Sequence, residues 1–324
     1  MLTVKQENYN AKSPSVVCLG NFDGLHIGHR MLIKRGIEKA KALGLCCAVL
    51  SFDVHPAVFL KNKSPELLIS REEKEKALED MGVDLFVLSD FSKIKDFSCE
   101  DFVQKILIET LRAKEVICGF NYSFGKKAMG SAKTLKELLR PHGAGIEIVP
   151  EIEYCGGKVS STVIRELLKK GDCRLAAKLL GGGFCIDSPV TEGKKLGRTL
   201  GFPTANQELH PHRLKPKKGV YLSTVTFEGK SYPAISNLGE RPTVENDGRY
   251  NCESFIIGFS GDLYGKKIQT RLWDFIREEK KFSSKEELTQ QIEKDLREVE
   301  KRFDKENLSD ASSFGMYCDR NGIC

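Results

Sequence analysis

No stretch of this sequence is apolar for long enough to cross a membrane as a helix. The longest strongly apolar run is Cys46–Phe52, against the roughly 18 residues a span needs. Met1–Asn10 is polar and has no apolar centre of the kind a secretory signal carries. No C-x-x-C pair occurs, and the 11 cysteines are odd in number and scattered, with Cys46 and Cys47 adjacent. Reduced thiols in a cytoplasm fit that usage better than a disulfide framework or a structural zinc site. The chain holds 11 prolines and 29 glycines, too few for collagen-like or Pro-rich sequence. It has a single Trp, Trp273, and no internal repeat. The net charge of +6, from 51 basic and 45 acidic residues, is mild. It reads as a mixed solvated surface, suited to phosphorylated small molecules, rather than as a nucleic-acid stripe. With 40% hydrophobic and 30% charged residues in 324, the chain is an ordinary globular protein long enough for two domains.

The first half alternates between two periods. Ser15–Leu19, Leu45–Phe52, Asp84–Leu88, Glu115–Cys118 and Gly145–Val149 are apolar runs that read as strands. Between them, Ile27–Leu43, Glu72–Met81, Cys99–Leu111 and Lys133–Leu139 carry apolar residues at helical spacing. Continuously apolar strands alternating with helices predict a doubly wound parallel sheet, with ligands outside the carboxyl ends of its strands. After Gly181-Gly182-Gly183 the helical period disappears. Val220–Phe227, Ser231–Ser236, Cys252–Phe259 and Lys266–Phe275 read as strands of a small antiparallel barrel, and Ser284–Phe303 as a helix closing it. The expected division is 1–182, 183–306 and a tail, 307–324, of no evident purpose. The glycine run reads as a flexible connection, so that Phe184–Phe303 is expected to fold alone.

Gly20-Asn21-Phe22-Asp23-Gly24-Leu25-His26-Ile27-Gly28-His29 joins the first strand to the first helix. His26 and His29 share one face of that helix opening. Free backbone N–H groups and the helix dipole favour phosphate there, two imidazoles can donate to it, and Gly28 permits close approach. With six histidines in the chain, an H-x-x-H pair is expected by chance only about 0.1 times. Paired helix-surface histidines are the bland alternative, and zinc lacks an evident third ligand. Val159-Ser160-Ser161-Thr162-Val163-Ile164-Arg165 opens another helix, either as a plain N-cap with a surface Arg or as hydroxyls and a guanidinium for phosphate. Ser51-Phe52-Asp53-Val54-His55-Pro56 ends the second strand, and Gly119–Lys127, containing Asn121, follows the fourth. These clusters gather at the carboxyl ends of predicted strands.

In the second half, Gly193-Lys194-Lys195-Leu196-Gly197-Arg198-Thr199-Leu200-Gly201-Phe202-Pro203-Thr204-Ala205-Asn206 is the densest glycine-polar stretch. It reads either as a flexible surface loop or as an anion nest whose Thr204 and Asn206 offer neutral oxygens to Mg²⁺. Glu253 lies on an otherwise apolar strand, as a surface residue at the barrel lip or as a functional carboxylate.

Together these segments resemble a known family. H-x-G-H with a downstream Ser-Ser-Thr-x-x-Arg is similar to the nucleotidyltransferase superfamily, and Gly20–His29, Ser51–Pro56, Gly119–Gly125 and Ser160–Arg165 resemble the adenylyltransferase module of prokaryotic bifunctional riboflavin kinase/FAD synthetases. Gly197–Asn206 resembles the riboflavin kinase signature, as do Gly219–Tyr221, Ser236–Thr243, Asn251–Glu253 and Asp262–Lys267. The resemblance spans about Ser15 to Phe303. It departs at Val54, where the family usually has Pro, and at Gly181–Phe184, where an Arg is missing.

The resemblance implies a Rossmann-like nucleotidyltransferase domain followed by a kinase barrel. The activities it implies are phosphorylation of riboflavin to FMN and adenylyl transfer from ATP to FMN, giving FAD and pyrophosphate. It implies catalytic roles for His26, His29, Arg165 and Glu253. Gly20, Asn21, Phe22, Asp23, Gly28, His55, Asn121, Ser160, Ser161, Thr162, Gly193, Lys194, Gly197 and Arg198 would bind nucleotide or phosphate, and Thr204 and Asn206 would hold Mg²⁺. The partners implied are riboflavin, FMN, FAD and ATP, with no nucleic acid and no membrane. The rival readings are a nucleotidyltransferase with another acceptor, such as a pantetheine phosphate or nicotinamide mononucleotide, and a non-enzymatic nucleic-acid-binding barrel.

Overall fold

In the computed structural model, which describes residues 1–61, 65–193, 197, 200–240 and 250–306, the chain divides into two compact units that meet in sequence at Val159 and Ser160. Lys194, Arg198, the segment Arg241-Pro242-Thr243 and the tail 307–324 lie outside the described residues.

The first unit runs β1 (Leu2–Lys5), β2 (Ser15–Leu19), α1 (Ile27–Leu43), β3 (Cys46–Phe52), α2 (Ala57–Lys61), α3 (Arg71–Met81), β4 (Leu85–Ser89), α4 (Phe91–Ile94) and α5 (Cys99–Asp101). It continues with β5 (Ala113–Gly119), β6 (Ser123–Phe124), β7 (Gly130–Ser131), α6 (Ala132–Leu139), β8 (Gly145–Val149), β9 (Glu153–Tyr154) and β10 (Gly157–Lys158). The main sheet is six-stranded and parallel, in the order β1-β4-β3-β2-β5-β8. Period-two alternation sends Val17, Leu19, Ala48, Leu50 and Val116 into the core on one face. Val16, Cys18, Cys47, Val49 and Ile117 enter the core on the other. Each fully buried Val, Leu or Ile among them stabilises by ~1.5–3 kcal/mol. Helix α1 lies so close to β2 that a Cβ at Gly36 would come within 2.2 Å of Cys18 Sγ.

Two features of this unit depart from the expectations. The polar N-terminus forms β1, an edge strand paired with β4, which the tertiary contact and not its own pattern stabilises. The helix expected over Cys99–Leu111 is one α turn followed by a π-helical stretch, Phe102–Thr110.

The second unit begins with α7 (Ser161–Lys170) and α8 (Cys173–Leu180). It continues with β11 (Phe184–Thr191), β12 (Thr204–Glu208), β13 (Gly219–Phe227), β14 (Lys230–Glu240), β15 (Tyr250–Ile256), β16 (Lys267–Arg277) and the closing helix α9 (Lys285–Glu306). The strands form a closed antiparallel barrel in the order β11-β12-β15-β14-β13-β16. Ala177 of α8 and Val299 of α9 pack with Leu222 and Trp273 of the barrel. Asp274 of β16 accepts hydrogen bonds from Arg174 of α8 and Arg302 of α9. The glycine run is ordered by this packing. Gly181 ends α8 in the left-handed conformation, and Gly183 is buried where a Cβ would meet the Leu272 carbonyl at 2.7 Å. The third glycine therefore serves close approach of two strands, not flexibility.

Candidate active sites

In the first unit the chain leaves β2 toward β3, while β5 lies on the other side of β2 and leads toward β8. The carboxyl ends of β2 and β5 therefore flank the switch point of the sheet, where ligands of such folds bind. The Gly20–His29 turn sits there. Its backbone is strained: Phe22 and Leu25, both fully buried, have φ of 51° and 41°. A conformation that L-residues avoid persists only where the surroundings enforce it, as they do at functional turns. Gly20 is required, because a Cβ there would approach the folded-back Phe22 ring to 2.9 Å.

His26 is the N-cap of α1, and its Nδ1 accepts the His29 backbone N–H at 3.3 Å. A neutral imidazole that accepts at Nδ1 carries its proton on Nε2 and can donate from there. His29 stacks on His26 with ring centroids 3.6 Å apart, and its Nδ1 is buried with no hydrogen-bond partner among the described residues. Burial lowers the pKa of His26 to about 4. Burial, with the neighbouring His26 and Lys74, holds His29 well below the usual histidine range. Both rings are neutral at pH 7, so each can offer a hydrogen-bond donor but no positive charge.

A cleft of about 500 Å³, open mouth included, adjoins this turn and is lined by Asn21, Asp23, Ser51, Asp53, His55, Arg71 and Lys74 among others. The structure thus brings the Gly20–Asp23 and Ser51–Pro56 segments together. Ser51 Oγ donates to the Asn21 carbonyl at 3.1 Å, and the Asp23 carboxylate accepts from Leu68 N. Asn121, just past β5, is exposed and does not line this cleft. Ser160 is the N-cap of α7, its Oγ accepting from Val163 N, and with Ser161, Thr162 and Arg165 it belongs to the second compact unit.

The second site is a row on the barrel. Thr204 and Asn206 stand two apart on β12, so the strand period puts them on one face. Asn206 pairs in register with Glu253 of β15, and Glu253 with Asn237 of β14. Asn251 Nδ2 donates to Asn206 Oδ1 at 2.9 Å and lies 3.4 Å from Glu253 Oε1. A Cβ at Gly193 would stand 2.4 Å from Asn206 Nδ2, and one at Gly197 2.3 Å from the Phe202 carbonyl. Gly193 therefore lets the backbone lie against the row, and Gly197 lets it pack against the Phe202 backbone. The stretch expected as loop or nest ends in a strand that presents neutral oxygens beside a carboxylate.

Sequence reasoning missed Asn237 and Asn251 as members of this row, although both lie in segments that carry the resemblance. It also missed Lys74. Lys74 is more than fifty residues from Asn21, on a helix whose polar face gives no sign of facing a cleft.

The chain matches two family models in tandem: FAD synthetase over residues 8–163 and riboflavin kinase over residues 180–303. A bifunctional riboflavin kinase/FMN adenylyltransferase of Listeria monocytogenes is 34% identical over 293 residues, covering 90% of this chain and 93% of the relative. One of Escherichia coli K12 is 35% identical over 285 residues, covering 86% and 90%. A solved chain of Streptococcus pneumoniae, described as a macrolide-efflux protein, superposes with a TM-score of 0.84 at 31% identity, covering 93% of this chain and 99% of that one. Among the described residues here, no helix is long and apolar enough to cross a membrane. Both halves of the resemblance read from the motifs are thus matched, each by its own model, and the chain belongs to the bifunctional riboflavin kinase/FMN adenylyltransferase family.

Proposed function

We propose that this chain phosphorylates riboflavin to FMN with ATP, and transfers an adenylyl group from a second ATP to FMN, releasing FAD and pyrophosphate. The observation that carries this is the tandem match, FAD synthetase on the parallel-sheet half and riboflavin kinase on the barrel half. It weighs against an adenylyltransferase with another acceptor, which has no need of the barrel, and against a nucleic-acid-binding barrel. The functional modules are taken as 1–182 and 183–306, with no role assigned to 307–324.

In the barrel, Glu253 takes the proton of the riboflavin 5′-hydroxyl as that oxygen attacks the γ-phosphorus of ATP, and ADP leaves. Asn251, within reach of both Asn206 and Glu253, holds the row in register. Gly193, Lys194, Gly197 and Arg198 receive the phosphates. The donor set fits Mg²⁺: Thr204 Oγ1 and Asn206 Oδ1 are hard neutral oxygens two residues apart on β12, and Gly193 is bare where a Cβ would collide with the Asn206 amide. Bound there, Mg²⁺ would neutralise the charge of the transferred phosphoryl group. In the parallel-sheet unit, an FMN phosphate oxygen attacks the α-phosphorus of ATP and the bond to the β-phosphate breaks. Neutral His26 and His29 donate to phosphate oxygens at the α1 N-terminus. Gly20, Asn21, Phe22, Asp23, Gly28, His55 and Asn121 shape the nucleotide site. Ser160, Ser161, Thr162 and Arg165 give the α7 opening a phosphate-binding role. A cytoplasmic location suits a chain with these substrates.

The test is incubation with riboflavin, ATP and Mg²⁺, followed by chromatography for FMN and FAD. Both should appear, in that order, and chelation of Mg²⁺ should stop both. Formation of neither flavin nucleotide in the presence of Mg²⁺ overturns the assignment.

A further inference from the structure

We propose that Lys74 of α3 is a catalytic cation of adenylyl transfer, donating to the pyrophosphate that leaves the α-phosphorus of ATP. This rests on the adenylyltransferase reading of the first unit.

Three observations carry it. Lys74 lines the cleft together with Asn21, Asp23, Ser51 and His55, the residues that end β2 and β3. Its Nζ donates to the Asn21 carbonyl at 2.9 Å, the same oxygen that accepts from Ser51 Oγ. The ammonium is thereby held at the phosphate turn itself. It is also close enough to His29 to depress that ring's pKa. An ammonium has three donors, and the Asn21 carbonyl takes one. A ligand in the cleft would receive the others.

The chemistry needs such a group. The FMN phosphate oxygen forms a bond to the α-phosphorus, and the bond to the bridging β-phosphate oxygen breaks, its electron pair going to pyrophosphate. Negative charge thus accumulates on the leaving group. The two histidines cannot supply a positive charge, because both are neutral. Lys74 can, and a fixed cation aimed at a developing charge is worth most in a partly desolvated site.

The titratable and charged groups around it are Asp23 on the turn, Asp53 and His55 after β3, His29 on α1, and Arg71 on its own helix. Burial, opposed by the attraction of Asp23, leaves the Lys74 pKa at about 8. The protonated form is the active one, so kcat/KM for adenylyl transfer should fall as pH rises through about 8. Bound phosphate favours the ammonium, so the limb in kcat should lie higher.

The experiment follows FMN to FAD conversion by the full chain against pH, for the wild type, Lys74→Met and Lys74→Arg. Riboflavin to FMN conversion on the same samples reports whether the family's activity is present at all. Expected are a loss of 50-fold or more for K74M, and activity within about fivefold of wild type for K74R with the alkaline limb gone. Circular dichroism of K74M should match wild type, and K74R, which keeps the charge, remains decisive if it does not. FAD formation by K74M within threefold of wild type overturns the proposal. So does an alkaline limb near pH 8 that persists in K74R, since the titrating group is then another. If wild type itself makes FMN but no FAD, it is the adenylyltransferase reading that fails.

Discussion

The two candidate sites are built from different materials. In the parallel-sheet unit the groups come from turns after strands, held by a strained backbone and a helix N-terminus. In the barrel they come from neighbouring strands in register, where the pleat alone aligns Asn206, Glu253 and Asn237. The first arrangement gathers ionisable side chains, with two histidines held neutral and a lysine whose lowered pKa still leaves it mainly protonated at pH 7. The second presents one carboxylate among amides and a hydroxyl. The difference follows the chemistry proposed for each. Adenylyl transfer to a phosphate needs no proton acceptor, only charge stabilisation. Phosphorylation of an alcohol needs a base.

That contrast breaks most sharply at Glu253. Glu253→Gln keeps the shape and hydrogen-bonding reach but cannot accept the proton, so FMN formation from riboflavin should fall by roughly 1000-fold. Supplied FMN should still become FAD. An unchanged rate of FMN formation would place the base elsewhere and make Glu253 a surface residue of the barrel.

Acid should act next, and on the first unit. The pKa of His26 is about 4 in the folded chain against about 6.5 unfolded. The folded state favours the neutral ring, so the contribution is present above pH 6.5. It declines as pH falls toward 4, because the unfolded chain takes up the proton first. The loss is about 3 kcal/mol across that window. Urea denaturation of wild type and His26→Asn at pH 7 and pH 4.5 checks it: the variant should lose distinctly less stability than wild type between those pH values. Parallel lines would contradict a buried neutral His26.

His29→Ala removes a donor and a stacking partner from the phosphate turn. Adenylyl transfer should drop about 100-fold, while riboflavin phosphorylation continues. The same assay pair used for E253Q reads this variant, and the two should show opposite losses. Normal FAD synthesis by H29A would empty the histidine turn of its assigned role.

The smallest effect sharpens the boundary between the units. A fragment 184–306 carries every barrel residue proposed for the kinase, but it lacks α8, whose Ala177 packs on Leu222, Trp273 and Val299. A fragment 160–306 keeps it. Uncovering that apolar contact should lower the stability of the shorter fragment by about 2 kcal/mol, seen as a lower urea midpoint. Equal midpoints would return α8 to the first module.

Much of this was legible in the chain. Continuous apolar runs alternating with 3.6-period helices specify a covered parallel sheet, because only burial on both faces tolerates such strands. The helix Ile27–Leu43 was readable to the residue, since Gly44 stops it in the left-handed conformation. His26, Gly28 and His29 stood out because the H-x-G-H spacing is chemically unusual, whereas Thr204, Asn206 and Glu253 stood out through the family resemblance. What the chain concealed was long-range. β1 is a strand only because β4 offers it an edge. The run Gly181–Gly183 looks like a hinge until Gly183 is seen against the Leu272 carbonyl.

Local pattern therefore determined the element types, the two-part architecture and the residues able to do chemistry, because periodicity and residue type are properties of the chain itself. Tertiary structure alone decided which groups share a site and in what charge state. It brought Lys74 to Asn21 across more than fifty residues, aligned Asn237 with Glu253 by strand register, and left His26 and His29 neutral by removing them from water. Proximity and desolvation arise only when distant segments pack, and no local spacing encodes them.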